Sequence, residues 1–416
     1  MYSLLLVIIY IAFISLGLPD SLLGSGWPEM RLSLGVPLSY AGIVSMIIAG
    51  GTIVSSLLSD RLTRKLGAGL VTAVSVAMTA AALFGFSVSR SFWLVCLFAV
   101  PYGLGAGAVD AALNNYVALH YASRHMSWLH CFWGVGASIS PYIMGYGLTR
   151  GLGWSSGYRT VFIIQIILSV VLFASLSLWK KRENGDSGGR NDAAPMGLSR
   201  IIRVKGVVYV LVAFFCYCAM ETTAGLWASS YLVIARGISS ETAARYASLF
   251  YLGITCGRFI SGFAANKAGD KGMIRIGIGV ILIGMTAVLI PFKADWPSLY
   301  GLVIIGLGCA PVYPSIIHST PSNFGADKSQ AIIGVQMASA YLGSTLAPPL
   351  FGLIANHIDM GLFPVYMLVF TALMLVMTEK LNRTFKLAPV TPHIINRNND
   401  RGDKPGDGVT QRHGKD

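Results

Sequence analysis

The chain has 416 residues, 54% of them hydrophobic and 12% charged, with a mean hydropathy of +0.64; an ordinary soluble domain carries roughly 25% charged residues. This composition excludes a soluble globular enzyme and fits a chain that faces lipid. The net charge of +13 would suggest nucleic acid as a partner for a soluble protein, but its placement along the chain assigns it to membrane topology, and no nucleic-acid partner is expected.

Apolar windows of about twenty residues, cut at charge and turn clusters, predict spans near 3–30, 37–59, 67–89, 92–119, 126–149, 160–179, 206–231, 246–264, 276–292, 297–320, 329–356 and 362–379. The first is read as a span rather than a cleaved signal peptide, because it outruns the usual apolar core and no small-residue cleavage site precedes Gly17-Leu18-Pro19-Asp20. Twelve spans put both ends of the chain on one side. Lys and Arg number twenty-three on the loops and ends of that side against seven on the other, with Arg258 left inside a span. Basic residues are retained in the cytoplasm, so both termini are expected there, in a bacterial inner membrane. All six cysteines lie in apolar stretches and read as small buried hydrophobes.

The polar, Gly-rich stretch 180–204 divides the spans six and six and reads as a linker. It separates an amino-terminal half, 1–179, from a carboxy-terminal half, 205–386, and residues 387–416 read as a disordered tail. Internal repetition supports the division. Gly136 to Gly145, with Pro141, matches Gly343 to Gly352, with Pro348, at an offset of 207. Gly103-Leu104-Gly105 matches Gly306-Leu307-Gly308 at 203, and Asp60-Arg61 falls opposite Asn266-Lys267 at 206. The predicted architecture is an all-α membrane protein of twelve helices in two pseudo-symmetric six-helix halves.

An ionisable side chain at bilayer depth costs several kcal/mol, so each one invites a functional role. Asp20 follows Pro19, whose ring and missing amide loosen the helix one turn earlier and free carbonyls beside a carboxylate. Asp110 and Asn114 are four apart on one face of span four, and His130 enters at similar depth on span five. The three form a polar cluster able to exchange a proton and to hydrogen-bond a polyol, or to bind spans four and five together. Glu221 in span seven is followed by Trp227 and Tyr231; aromatic faces beside polar groups suit a sugar ring or a cation, and Tyr231, near the outer boundary, reads as an interfacial anchor. Asp20, Asp110 and Glu221 are thus the proton-coupling candidates, and Asn114, His130, Trp227, Gln336 and Gln165 the substrate-binding ones. Tyr313 and His318 are further polar groups at plausible depth. Arg258 in span eight needs an acid or helix-end carbonyls as partner and reads as gating or structural.

Between spans two and three, Ser59-Asp60-Arg61-Leu62-Thr63-Arg64-Lys65-Leu66-Gly67 resembles the signature cytoplasmic loop of the major facilitator superfamily, with Ser56 and Thr63 where glycines are usual. Asp60, Arg61 and Arg64 could form a charge relay made in one conformation and broken in the other. Gly17 to Gly24 with Trp27-Pro28, Gly105 to Asn115, Trp128 to Gly136 and Glu221 to Tyr231 resemble the branch of that superfamily containing the fucose–proton symporters. The resemblance implies proton coupling or sugar binding at Asp20 and Asp110, and at Asn114 with His130. The fucose carriers have Glu where this chain has Asp110, and span four lacks the Arg of many drug–proton antiporters.

These readings converge on a secondary-active carrier working by alternating access, symporting a proton with a sugar or related small polar solute. Efflux of another compound, sodium coupling, or a sensor without flux on the same fold remain alternatives. No nucleophile–base pairing, metal-ligand cluster or nucleotide loop is legible, so no enzyme activity and no cofactor is expected, and a monomer is expected to suffice.

Overall fold

A computed structural model describes residues 2–37, 39–179, 196–290 and 294–385, and among these residues the secondary structure is helical throughout, without strands. The predicted tail, 387–416, and the segment 180–195 of the predicted linker lie outside the described residues. Of the linker, the described part includes a short helix, Leu198–Ile202.

Span one runs as two helices, Tyr2–Asp20 and Leu22–Leu34, with only Ser21 between them. It is therefore longer than the expected 3–30. Pro19 sits inside the first helix, and the chain resumes its helical course within one residue. Spans two and three form one double-length helix, Tyr40–Val88, whose only non-helical residue is Gly67 (φ 79°, ψ 155°). The stretch read as a loop before Gly67 is thus helical, and Asp60 and Arg64 pair across one turn of it. Spans eight and nine repeat the design in Ser240–Leu289, which turns at Gly269 (φ 68°, ψ 166°). Both turns need the left-handed φ that glycine adopts without a Cβ clash, and 202 residues separate them. The end of the bundle where they lie is hereafter the turn face.

The other spans are Phe92–His120, Ser123–Thr149, Trp154–Ala174, Val207–Ile234, Trp296–His318, Ala326–His357 and Phe363–Phe385. Span six starts at Trp154 instead of 160, because the exposed Arg159 is carried within the helix and does not break it. Among the described residues, nine helices pass as membrane spans on length and hydropathy, two of them double-length. Span five falls outside that set because it carries Ser, His and Gly among its apolar residues.

Packing repeats with the sequence. Span one packs on five as seven packs on eleven, and spans two and three pack on four as eight and nine pack on ten. Between halves, two and three meet eleven as eight and nine meet five. The repeated glycines make these contacts. A Cβ at Gly103 would strike the Ile48 carbonyl and one at Gly306 the Phe250 carbonyl; one at Gly136 would strike the Ile14 carbonyl and one at Gly343 the Phe215 carbonyl. Small residues let helix backbones approach where lipid provides no hydrophobic drive for association.

Candidate functional site

Between the halves lies a cavity of about 360 Å³ lined by side chains of spans one, four, five, seven, eight, ten and eleven. Asp20, Asp110, His130, Glu221 and Arg258, all singled out from sequence, reach it. Asp20 sits where span one breaks at Ser21. Its Oδ1 accepts from the Tyr102 hydroxyl at 3.0 Å and its Oδ2 from the Trp133 indole N–H at 2.9 Å. Asp110 accepts at Oδ1 from the Asn114 amide at 2.8 Å and at Oδ2 from the Tyr341 hydroxyl at 3.0 Å. Both carboxylates are thus held by neutral donors, and Tyr341 reaches Asp110 from the opposite half.

Asn114, fully buried one turn below Asp110, passes the network on through its Oδ1, 3.0 Å from His130 Nε2. The His130 ring stands edge-on to Phe13 and Tyr313, with centroids 5.4 and 4.7 Å away. Arg258, 4% exposed, finds its acid in Glu221, with Nη2 3.4 Å from Oε1. Its guanidinium also lies 5.8 Å from the centre of the Trp133 ring. Trp133 therefore touches both charge systems, donating to Asp20 while presenting its π-face to Arg258.

The repeat relates two of the acids. The carbonyl contacts of Gly136 and Gly343 align Ile14 with Phe215, an offset of 201, and the same offset carries Asp20 onto Glu221. Equivalent positions on spans one and seven thus hold one carboxylate each, answered by neutral donors in the amino-terminal half and by a guanidinium in the other.

Of the five substrate-binding candidates His130 alone lines the cavity; Asn114 is buried behind Asp110, and the other three lie elsewhere. Trp227 donates to the Pro348 carbonyl at 2.9 Å and packs edge-on against Phe351, tying span seven to span eleven. Gln336, fully buried, accepts from the Thr320 hydroxyl at 2.9 Å. Gln165 donates to the Ser15 carbonyl and joins span six to span one. Sequence reasoning passed over Tyr102, Trp133 and Tyr341, since an aromatic residue in an apolar span reads first as packing. Trp133 alone carried a signal, because it lies three residues from His130 on the same face.

Toward the turn face the cavity is closed by hydrogen bonds between the halves. Ser123 donates to Asp270 at 2.5 Å, Ser329 to Asn115 at 2.6 Å, and Gln330 to Ser59 at 3.4 Å. Arg64 binds Asp60 through Nε at 2.8 Å and reaches the Asp327 carbonyl of span eleven through Nη2 at 3.1 Å, whereas Arg61 is exposed.

The family model described as Major Facilitator Superfamily matches residues 9–348 and 210–401. The chain belongs to the major facilitator superfamily. It is a transporter and not an enzyme. Among solved structures it resembles FucP in the outward conformation, with a TM-score of 0.74 at 15% identity, over 90% of this chain and 98% of that one; FucP is the fucose:proton symporter of E. coli. Among curated proteins it is 22% identical to Bypass of stop codon protein 6 of Saccharomyces cerevisiae, over 87% of this chain and 79% of that protein. It is also 22% identical to the glucose/mannose transporter GlcP of Bacillus subtilis, over 74% of this chain and 78% of that one.

Proposed function

We propose that the protein is a proton-coupled symporter of a sugar or a similar small polar solute, working by alternating access across a bacterial inner membrane with both chain ends in the cytoplasm. The observation that carries this reading is the pair Asp20 and Asp110, two carboxylates on one cavity held only by neutral hydrogen-bond donors. A carboxylate held in that way can take a proton without stranding a buried cation. The neutral acid is much cheaper to occlude than the ionised one, so protonation favours crossing of the loaded carrier. Glu221 is less suited to the same role, because neutralising it would leave Arg258 buried and unpaired.

The cavity volume lies near the lower end of the roughly 300–1,000 Å³ usual for small-molecule sites, which suits a compact solute. Hydroxyls of Tyr251, Tyr341 and Ser344 together with the aromatic faces of Phe13 and Trp133 suit a polyol with one apolar face. The names of FucP and GlcP support the same class. Asn114 and His130 act here as positioning groups for Asp110, and Asp60 with Arg64 as part of the closure on the cytoplasmic side. The division into halves 1–179 and 205–386 joined by 180–204, and a monomeric working unit, belong to this proposal.

Uptake into proteoliposomes of a panel of radiolabelled monosaccharides, with an inward proton gradient imposed and then collapsed, tests the reading. Accumulation of one sugar that vanishes with the gradient is the expected result. A second reading has its own support, in that three carboxylates face the cavity against one guanidinium, which also suits sodium coupling or a cationic solute. Accumulation that follows a sodium gradient and ignores the proton gradient would replace the first reading with the second.

A further inference from the structure

Away from the cavity, at the turn face, one side chain makes a connection that fixes its proton content. His318 closes span ten and places Nδ1 2.8 Å from Asp270 Oδ2 and Nε2 3.1 Å from the Tyr121 carbonyl oxygen. Asp270 follows the Gly269 turn, and its Oδ1 takes the Ser123 hydroxyl at 2.5 Å. Asp270 and His318 belong to one half, Tyr121 and Ser123 to the other. The cluster is mostly shielded, with the side chains of His318 and Asp270 16% and 15% exposed.

A backbone carbonyl can only accept, so Nε2 must carry a hydrogen. The Nδ1 to Oδ2 contact needs one as well, whether it resides on the ring or on the acid. A neutral imidazole has one N–H. Facing an ionised carboxylate, it would satisfy one contact and turn a lone pair on the other acceptor. The closed arrangement therefore holds one proton more than separated neutral histidine and aspartate.

We propose that Asp270 and His318, with the Tyr121 carbonyl as third partner, form a proton-binding site that latches the turn face shut, distinct from the acids of the central cavity. Closing this face takes up a proton and opening it releases one, so higher pH on this side favours the open state. The proposal rests on alternating access but on no particular substrate or coupling ion.

Other titratable groups on the packed elements are engaged elsewhere or face solvent. His120 on span four turns its Nδ1 to the Tyr116 carbonyl. Arg124 and His125 on span five contact each other, Trp128 and Tyr10. Lys267 and Lys271 flank Asp270 and are exposed, and Asp327 and Lys328 at the start of span eleven pair with each other at 4.0 Å. Among the described residues His318 is the ion-pair partner of Asp270.

The test places spin labels at Lys65→Cys and Lys271→Cys, exposed positions on the two halves at this face, in the full chain with Cys131 and Cys256, the two cysteines that are not buried, replaced by serine. Pulsed distance measurements in nanodiscs without substrate are taken from about pH 5 to about pH 8, the range in which histidine titrates. The short-distance population should dominate at the acid end and give way to a longer one, the ratio changing by up to about tenfold per pH unit within the titration range. His318→Gln, and independently Asp270→Asn, should leave a ratio that no longer moves with pH. A wild-type ratio constant over the range would overturn the proposal. So would an unchanged pH response in either variant, which would assign the response to Asp20 or Asp110. Failure of every sugar in the uptake assay would leave the distance result standing, so the two readings fail separately.

Discussion

Asp110 is the residue on which the transport reading turns. Asp110→Asn keeps the size of the side chain and one of its two accepting oxygens and removes its titration. We expect this variant to lose accumulation driven by a proton gradient while retaining counterflow exchange of labelled solute. Loss of exchange as well would place Asp110 in the solute site or in the fold. Glu221 and Arg258 call for a different measurement. Arg258→Gln leaves an acid buried in the bundle without its partner, a change that typically costs about 3 to 5 kcal/mol, read as a lower unfolding temperature in detergent. The double variant Glu221→Gln/Arg258→Gln should recover much of that loss, and a double variant as unstable as the sum of the two singles would show that the pair is not coupled. These charged residues were legible in the sequence because charge is rare at bilayer depth. The aromatic partners of Asp20 and Asp110 were not, since nothing in the chain distinguishes Tyr341, which reaches Asp110, from Tyr366, which ties span twelve to the Ala347 carbonyl.

Helices in this protein meet through backbone, and the glycines that allow it are unequal. A methyl group at Gly136 would strike the Ile14 carbonyl, whereas one at Gly145, nine residues on in the same helix, would meet nothing within 4 Å. Gly136→Ala is therefore expected to destabilise by about 1 to 3 kcal/mol through overpacking. Gly145→Ala is expected to be neutral or to stabilise by up to about 1 kcal/mol, as alanine does in helices. Thermal unfolding of the two purified variants, side by side, decides between this account and one in which any glycine of the motif matters equally. Sequence matching found both glycines and could not rank them, because the repeat records where glycine recurs and not what lies opposite. The equivalence of Asp20 and Glu221 was hidden for a related reason. It rests on an offset of 201, six short of the Gly-Pro match, and only the carbonyl contacts show that spans one and seven carry that shorter spacing.

At the scale of the molecule, the packing of spans one to five recurs in spans seven to eleven, and the proposed mechanism moves each half as a body against the other. The contacts that close the turn face must then break together for a solute to leave on that side. A cysteine pair at Asn115 and Ser329, whose side chains meet at 2.6 Å, should on oxidation stop uptake, leave binding from the opposite side intact, and give uptake back on reduction. Uptake undiminished in fully cross-linked protein would mean that this face need not open. The number and order of spans could be read from hydropathy. Which face is shut could not, because the hydrogen bonds that close it, such as Ser123 to Asp270, join residues 147 apart.

The size of the central cavity sets a limit on what can ride through. In the proposed cycle both halves close over whatever occupies the space, which offers about 360 Å³ while the turn face is sealed. A disaccharide offering the right hydroxyls could engage Asp20 or Asp110 with one ring while its second ring wedged the halves apart. Such a molecule would jam the carrier, a competitive inhibitor built from the very chemistry of its cargo.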